Sequence, residues 1–248
     1  MGERLRLDKL LADTGRWSRR EVKELIRQGR VTVNGQAARG PEEKYEAGCA
    51  ALAVDGLPVL WEPFTWLMLH KPAGLLSATE DRRQATVLDL LPEHLRRLEL
   101  FPVGRLDKDT TGLLLLTNDG AAAHRLLSPR HHVDKVYLAR VEGVLTRADA
   151  EAFSAGLTLE DGLRCLPAVL DILEPPCWCR VTLREGKYHQ VKRMLAARGK
   201  PVVYLKRLSM GPIALDPALA PGEWRPLTGE EKALLRRGTA GDPGFSAF

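Results

Sequence analysis

The residues best suited to chemistry in this chain are a loop aspartate, Asp107, a strand-borne tyrosine, Tyr137, and Lys192 in a strongly basic segment. A carboxylate can attack an electrophilic carbon, and a cation beside it can aim it. An aromatic ring offers a face to a planar group. Together the three suit nucleophilic chemistry on a stacked base. Asp107 and Asp109 read equally as turn aspartates that bond their own backbone, and the residue pattern leaves both readings open. Other chemistries find no support. No glycine pattern of a phosphate-binding or dinucleotide-binding loop appears, and no hydrolase elbow or paired metal ligands stand out. His131 and His132 are adjacent, and neighbours on an extended chain point apart, so no metal site is expected. His70 reads as a strand-end histidine.

The elements around these residues follow from apolar spacing. Leu113 to Leu116 form an uninterrupted leucine run between Gly112 and the Asn118-Asp119-Gly120 turn. Such a run reads as a strand buried on both faces. Phe101 to Leu106 is also strand-like, so Asp107 sits where a buried strand runs into a polar loop, a position a rigid scaffold can fix. Tyr137 lies within a strand from Lys135 to Val141. Lys192 belongs to a helix whose apolar face is Val191, Met194 and Leu195 and which Gly199 ends. A strand from Val202 to Arg207 follows. Trp66 to His70 is a further strand, stopped by Pro72, and residues 81 to 99 contain an amphipathic helix broken by Pro92. Ala121 to Leu127 and Thr146 to Gly156 are helical, and Ala168 to Leu173 and Trp178 to Leu183 are strands. Thr228 opens a short helix near the C-terminus.

Residues 4–47 form a unit of their own. Leu7, Leu10 and Leu11 share one face of a short helix, and Ser18 with Glu21 makes a capping box for a second. Val22, Leu25 and Ile26 are the apolar face of that helix, so Arg20, Lys23 and Arg27 point outward. Arg30 to Gln36 is a strand that enters an Asn-Gly turn. Charge is uneven along the chain. Residues 1–30 hold nine Arg and Lys against five Asp and Glu, and residues 180–207 hold nine against Glu185 alone. Clustered positive charge suits a polyanion partner, because each neutralised phosphate releases counterions.

The whole chain has 248 residues, 44% of them hydrophobic, and a net charge of +5. No apolar run approaches the ~20 residues needed to cross a bilayer, and Met1 to Arg6 lacks the apolar core of a signal peptide. A cytoplasmic protein without membrane association is expected. Cys49, Cys165, Cys177 and Cys179 are read as free thiols, and residues 239–248 as a disordered tail.

Two resemblances extend this reading. Leu7 to Leu11, Ser18-Arg19-Arg20 and Ile26 to Gly35 resemble the S4 RNA-binding domain. That resemblance implies a basic face of Arg16, Arg19, Arg20, Lys23 and Arg27 docked on structured RNA. Gly104-Arg105-Leu106-Asp107-x-x-Thr110-x-Gly112, with the leucine run and Asn118-Asp119-Gly120 after it, resembles the signature of rRNA pseudouridine synthases. His70-Lys71-Pro72-x-Gly74 and Gly186 to Met194 match the same family in the same order. Ser128 to His132 and Tyr188 to Met194 are most similar to the small-subunit (16S) RsuA type; large-subunit (23S) relatives more often carry Asn-Arg-Glu-Val-Arg-Arg in place of Tyr188 to Arg193.

The resemblance implies roles. Asp107 would be the nucleophile, attacking at the sugar C1′ of a flipped-out uridine. Tyr137 would stack on the base and assist the final proton removal, and Lys192 would pair with Asp107 and aim it. Arg105 would enter the RNA stack, with Arg184, Lys187, Arg193, Lys206 and Arg207 adding binding energy. Asp109 and Asp119 stay loop and turn residues. No cofactor or metal is needed. The fold implied is α+β: an S4-like domain over 1–60, and over 61–238 a catalytic domain with a mixed, mainly antiparallel sheet and an RNA-binding cleft. The partner implied is ribosomal RNA or a partly assembled small subunit, met by a monomer. The alternatives are a large-subunit synthase and a non-catalytic RNA-binding assembly factor. A purely structural role would not need Asp107, Tyr137 and Lys192 together.

Overall fold

The computed structural model describes residues 3–128 and 133–238. The expected tail, and Pro129 to His132 with their paired histidines, lie outside the described residues. The chain divides into two compact units at Thr65/Trp66, with Leu91–Leu100 belonging to the first.

The first unit begins with β1 (Arg4–Arg6), α1 (Leu7–Ala12) and α2 (Arg19–Arg27), followed by β2 (Val31–Val33), β3 (Gln36–Ala37), β4 (Lys44–Glu46), β5 (Leu52–Val54) and β6 (Leu57–Val59). The capping box at α2 is formed: Glu21 N donates to Ser18 Oγ at 3.2 Å, and Ser18 N donates to Glu21 Oε2 at 2.6 Å. Such a cap stabilises a helix by about 1 kcal/mol. Leu7, Leu10, Leu11, Val22, Leu25 and Ile26 are buried together with Val31, Val33, Leu52 and Val54. Strands β3, β2, β5 and β6 form one antiparallel sheet in that order, while β1 pairs with β4. Asn34-Gly35 turns the chain between β2 and β3 with φ of 52° and 79°, the doubly positive backbone of a type I′ turn.

The second unit carries β7 (Trp66–Lys71), β8 (Phe101–Pro102), β9 (Thr111–Thr117), α4 (Gly120–Leu127), β10 (Lys135–Val141), α5 (Arg147–Ala155), β11 (Val169–Leu173), β12 (Trp178–Leu183), α6 (Gln190–Ala197), β13 (Val202–Met210), β14 (Ile213–Ala214), β15 (Trp224–Pro226) and α7 (Gly229–Gly238). Its nine strands form one mixed sheet, β11-β12-β10-β13-β9-β7-β15, with β14 on β13 and β8 on β9. Strands β13 and β9 run parallel, and the other pairs are antiparallel. The α+β expectation holds. Leu113 to Leu116 are wholly buried at the centre of this sheet, and truncating one such leucine typically costs ~2–5 kcal/mol.

Two expected elements are shorter than the sequence suggests. Of the strand-like Phe101 to Leu106, Phe101–Pro102 pairs with β9 and Val103 N adds a bond to Leu115 O at 2.8 Å. Gly104, at φ 76°, turns the chain away before Asp107. The amphipathic stretch from 81 to 99 is a 3-10 turn, Val87–Leu90, followed by the four-residue helix α3 (Glu93–Arg96). Pro92 separates them because it has no N–H to continue a helical ladder.

Candidate active site

The backbone that carries Asp107 is held from beneath. Lys71, at the end of β7, is fully buried. Its Nζ lies 3.0 Å from Pro72 O, 3.1 Å from Asp107 O, 3.2 Å from Lys108 O and 3.0 Å from Thr110 O. Three of these acceptors belong to the aspartate loop. Gly74 N donates to Lys108 O at 2.7 Å, and Thr110 N to Asp107 O at 3.1 Å. Ser77 Oγ donates to Leu106 O at 2.9 Å and accepts from Leu106 N at 3.1 Å. Burial pushes the Lys71 ammonium down to about 8, against the pull of Asp109 and Asp107.

The Asp107 side chain leaves this bed and is 26% exposed. Oδ2 lies 3.3 Å from Lys192 Nζ, and Oδ1 lies 3.3 Å from His189 Nε2. Lys192 is carried by α6, whose face of Val191, Met194 and Leu195 is buried as its spacing requires. The same Nζ lies 2.5 Å from Asp109 Oδ1. Lys192 therefore bridges two carboxylates, and its hydrogen bond holds Asp109 below the usual carboxylate range. Asp109, read from sequence as a loop residue, thus shares the lysine that faces Asp107. Asp119 is an N-cap rather than a plain turn residue, accepting from Ala122 N at the start of α4.

Tyr137 stands half-buried in the middle of β10. Sheet register puts Lys71 beside Gly112, Gly112 beside Arg207, Arg207 beside Tyr137 and Tyr137 beside Val181. Tyr137 is thus two strands from Gly112, roughly 10 Å at ~4.8 Å per strand. Gly112 is required here: at φ 106° a Cβ would come within 2.2 Å of Arg207 O. The missing side chain lets β9 and β13 close side by side.

The expected basic surface of this unit needs correction. Arg207 is 2% exposed, with Nε donating to Leu113 O at 2.8 Å, so it is a sheet-interior residue and offers no open phosphate contact. Lys187 Nζ donates to Arg164 O and lies 3.0 Å from Glu185 Oε2. Arg193 pairs with Asp161 at 2.5 Å and Arg184 with Asp134 at 3.0 Å. Arg105, two residues before Asp107, is exposed and makes no ion pair among the described residues. In the first unit Arg16, Arg19, Arg20, Lys23 and Arg27 are all exposed. Arg27 is paired with Glu24 at 2.6 Å, whereas the other four make no ion pair among the described residues. Two contributors escaped the sequence reading. Lys71 was visible only as a motif letter, and His189 gave no local signal because its left-handed backbone, φ 48° and ψ 33°, arises from the fold.

Among the described residues no three His, Cys, Asp or Glu side chains gather as metal ligands. No helix among them is long and apolar enough to cross a membrane.

A sheet-borne aspartate loop, a lysine bridging to it from a helix and a separate basic helical unit describe an RNA-modifying enzyme. Residues 65–197 match the model of the RNA pseudouridylate synthase family and residues 5–48 that of the S4 domain. The chain belongs to the RNA pseudouridylate synthases, within the RsuA type. It is 50% identical to an uncharacterised RNA pseudouridine synthase of Bacillus subtilis, covering 93% of this chain and 98% of that protein. It is 44% identical to the ribosomal small subunit pseudouridine synthase A of Escherichia coli strain K12, over 93% and 100% of the two chains. The same-named protein of Pseudomonas aeruginosa is also 44% identical, over 92% and 98%. A crystal structure of a pseudouridylate synthase superposes with a TM-score of 0.66 at 36% identity, covering 93% of this chain and 99% of the other.

Proposed function

We propose that this enzyme converts a uridine of small-subunit rRNA to pseudouridine, with Asp107 as nucleophile. One observation carries the assignment. Asp107 is the carboxylate whose backbone is tied to the buried Lys71 and whose two oxygens face Lys192 and His189. A reacting group needs that fixation, because a misplacement of ~1 Å can cost 10²-fold.

The target nucleotide first leaves its stack, at a cost of a few kcal/mol. Arg105, exposed beside Asp107, occupies the space it leaves. An Asp107 oxygen bonds to C1′ as the C1′–N1 bond breaks. The freed uracil turns, and C5 bonds to C1′ as the aspartyl oxygen departs. The proton on C5 is then removed, with Tyr137 stacked on the ring and assisting, and N1, left with the electron pair of the broken C1′–N1 bond, takes up a proton. The bonds made and broken balance within one nucleotide, without redox change or leaving group. Arg16, Arg19, Arg20 and Lys23 bind phosphates from an S4-like arm, residues 1–60, ahead of a catalytic domain over 61–238. The small-subunit target is supported by the names of the relatives at 44% identity, and rRNA locates the work in the cytoplasm.

The test is Asp107→Asn, which preserves shape and removes the anionic nucleophile. RNA binding is expected within about twofold of wild type and pseudouridine formation down at least ~10⁴-fold. Normal turnover by this variant would sink the assignment. Mapping pseudouridine in rRNA with and without the protein decides the target: a site lost from large-subunit rRNA alone would overturn the small-subunit reading.

A further inference from the structure

Tyr188 is an exposed aromatic separated from the nucleophile by one other ring, and the reaction as described leaves it unused. Its residue is 71% exposed. One face of its ring lies on the His189 imidazole, with centroids 3.8 Å apart and planes 19° from parallel. His189 in turn brings Nε2 to 3.3 Å from Asp107 Oδ1.

The segment is held in this shape by its own bonds. Lys187 N donates to Gln190 Oε1 at 3.0 Å, and Gln190 Nε2 donates to Glu185 Oε1 at 2.5 Å. His189 sits in the left-handed region at φ 48°, a backbone conformation that disfavours a residue with a Cβ. The result is that the imidazole brings its Nε2 edge to Asp107 while the tyrosine covers one of its faces. A tyrosine kept for packing would bury its ring, since burial is what stabilises a core aromatic. This one adds nothing to a core and presents a broad face to solvent, already backed by a second ring. Single-stranded RNA is recognised in this way: unpaired bases splay out and stack on aromatic side chains.

We propose that Tyr188 and His189 form a stacking platform for an unpaired nucleobase adjacent to the target uridine. His189 acts as a positioning residue that transmits the seating of that base to the Asp107 carboxylate. The groups meeting the imidazole are the Tyr188 ring on one face and Asp107 at its Nε2 edge, with Lys192 and Asp109 next to that carboxylate. The proposal rests on the reading of Asp107 as the nucleophile acting on RNA. It adds that one flanking nucleotide is bound by its ring face.

The experiment measures binding without chemistry. The full chain carrying Asp107→Asn is titrated with a synthetic RNA spanning the target uridine, and with copies in which one flanking nucleotide is made abasic, its phosphate retained. Adding Tyr188→Ala should raise Kd roughly tenfold. Tyr188→Phe should restore it, since the ring and not the hydroxyl does the stacking. One abasic position should cost the parent about the same factor and the Tyr188→Ala protein nothing further. In the active enzyme, His189→Ala should lower kcat as well as raise KM, and His189→Gln should recover part of kcat through its amide donor but not KM. The platform is overturned by an unchanged Kd for Tyr188→Ala, by equal losses for Phe and Ala, or by abasic and Tyr188→Ala losses that simply multiply at both flanking positions. Retained coupling in binding, from an Asp107→Asn protein that still forms pseudouridine at the normal rate, would instead sink the nucleophile reading and leave the platform standing.

Discussion

The aspartate loop and helix α2 are both polar, charged stretches, yet they are built in opposite ways. In the loop, the charged groups around the Asp107 carboxylate are tied down. Lys71 spans four carbonyls, Lys192 bridges two aspartates, and the cations of the neighbouring segment, Arg184, Lys187 and Arg193, are paired with carboxylates. Around α2, Arg16, Arg19, Arg20 and Lys23 stand exposed and unpaired among the described residues. The first arrangement fixes atoms in place, as the proposed reaction requires. The second leaves charge available to phosphates, which need proximity more than geometry. A count of basic residues cannot separate the two, because a cation already neutralised within the protein has little left to offer RNA.

That contrast can be broken or sharpened by substitution. Lys192→Met should have the largest effect of this set, lowering kcat roughly 10²–10³-fold, because it removes a fixed charge facing the reacting group. Asp109→Asn separates the two partners of that lysine: a loss nearly as large would make Asp109 a true member of the site, and near-normal kcat would reduce it to a tether. Steady-state kinetics on the target RNA distinguishes these outcomes.

Lys71→Met comes next, with kcat down about 10- to 100-fold from a loosened loop and little change in RNA affinity. Its titration gives a pH test as well. The folded pKa of about 8 lies below the free value of 10.5, so the folded state releases this proton first. Stability from this group therefore rises with pH between those values, as the cost of a buried ammonium is relieved. A neutral amine, however, has two hydrogens for four carbonyls. Activity should fall above pH 8 while the melting temperature does not follow it down, and in Lys71→Met that alkaline loss should be absent.

Replacing Arg16, Arg19, Arg20 and Lys23 by alanine should raise KM about tenfold and leave kcat near wild type. The dependence of log affinity on log salt should flatten by about 0.7 for each single-stranded phosphate that is no longer neutralised. The smallest effect belongs to Arg193→Ala, where the ion pair with Asp161 has already consumed the charge. KM should stay within about twofold and stability within ~1 kcal/mol. A KM rise matching that of the α2 variant would show that the pair opens to RNA, and would erase the contrast.

Legibility in the sequence follows the same division. Strands β10 and β12 match their expected limits because an apolar pattern bounded by turns reports burial directly. Helix α2 was legible from Ser18 and Glu21, since a capping box is a local device. Asp107, Tyr137 and Lys192 stand out by residue type and take their roles from family resemblance, and the structure brings Asp107 and Lys192 into contact and sets Tyr137 in the adjoining row of the sheet. What stayed hidden depends on distant chain. Lys71 is a buried cation because a loop some forty residues later turns its carbonyls inward, Arg207 is buried because Gly112 lets a strand close over it, and β1 pairs with a strand far along the chain. No local pattern encodes those encounters.

The parallel pairing of β9 with β13 has a consequence during synthesis. Thr111 and Gly112 meet Lys206 and Arg207, and everything from α4 to α6 lies between them in the chain. When the aspartate leaves the ribosome, the strand that will flank its support has not yet been translated. Closing so long a loop also carries an entropic cost that later contacts must offset. A nascent chain therefore exposes its N-terminal RNA-binding arm well before it owns a finished catalytic centre. Competence to isomerise arrives only once translation has passed Arg207.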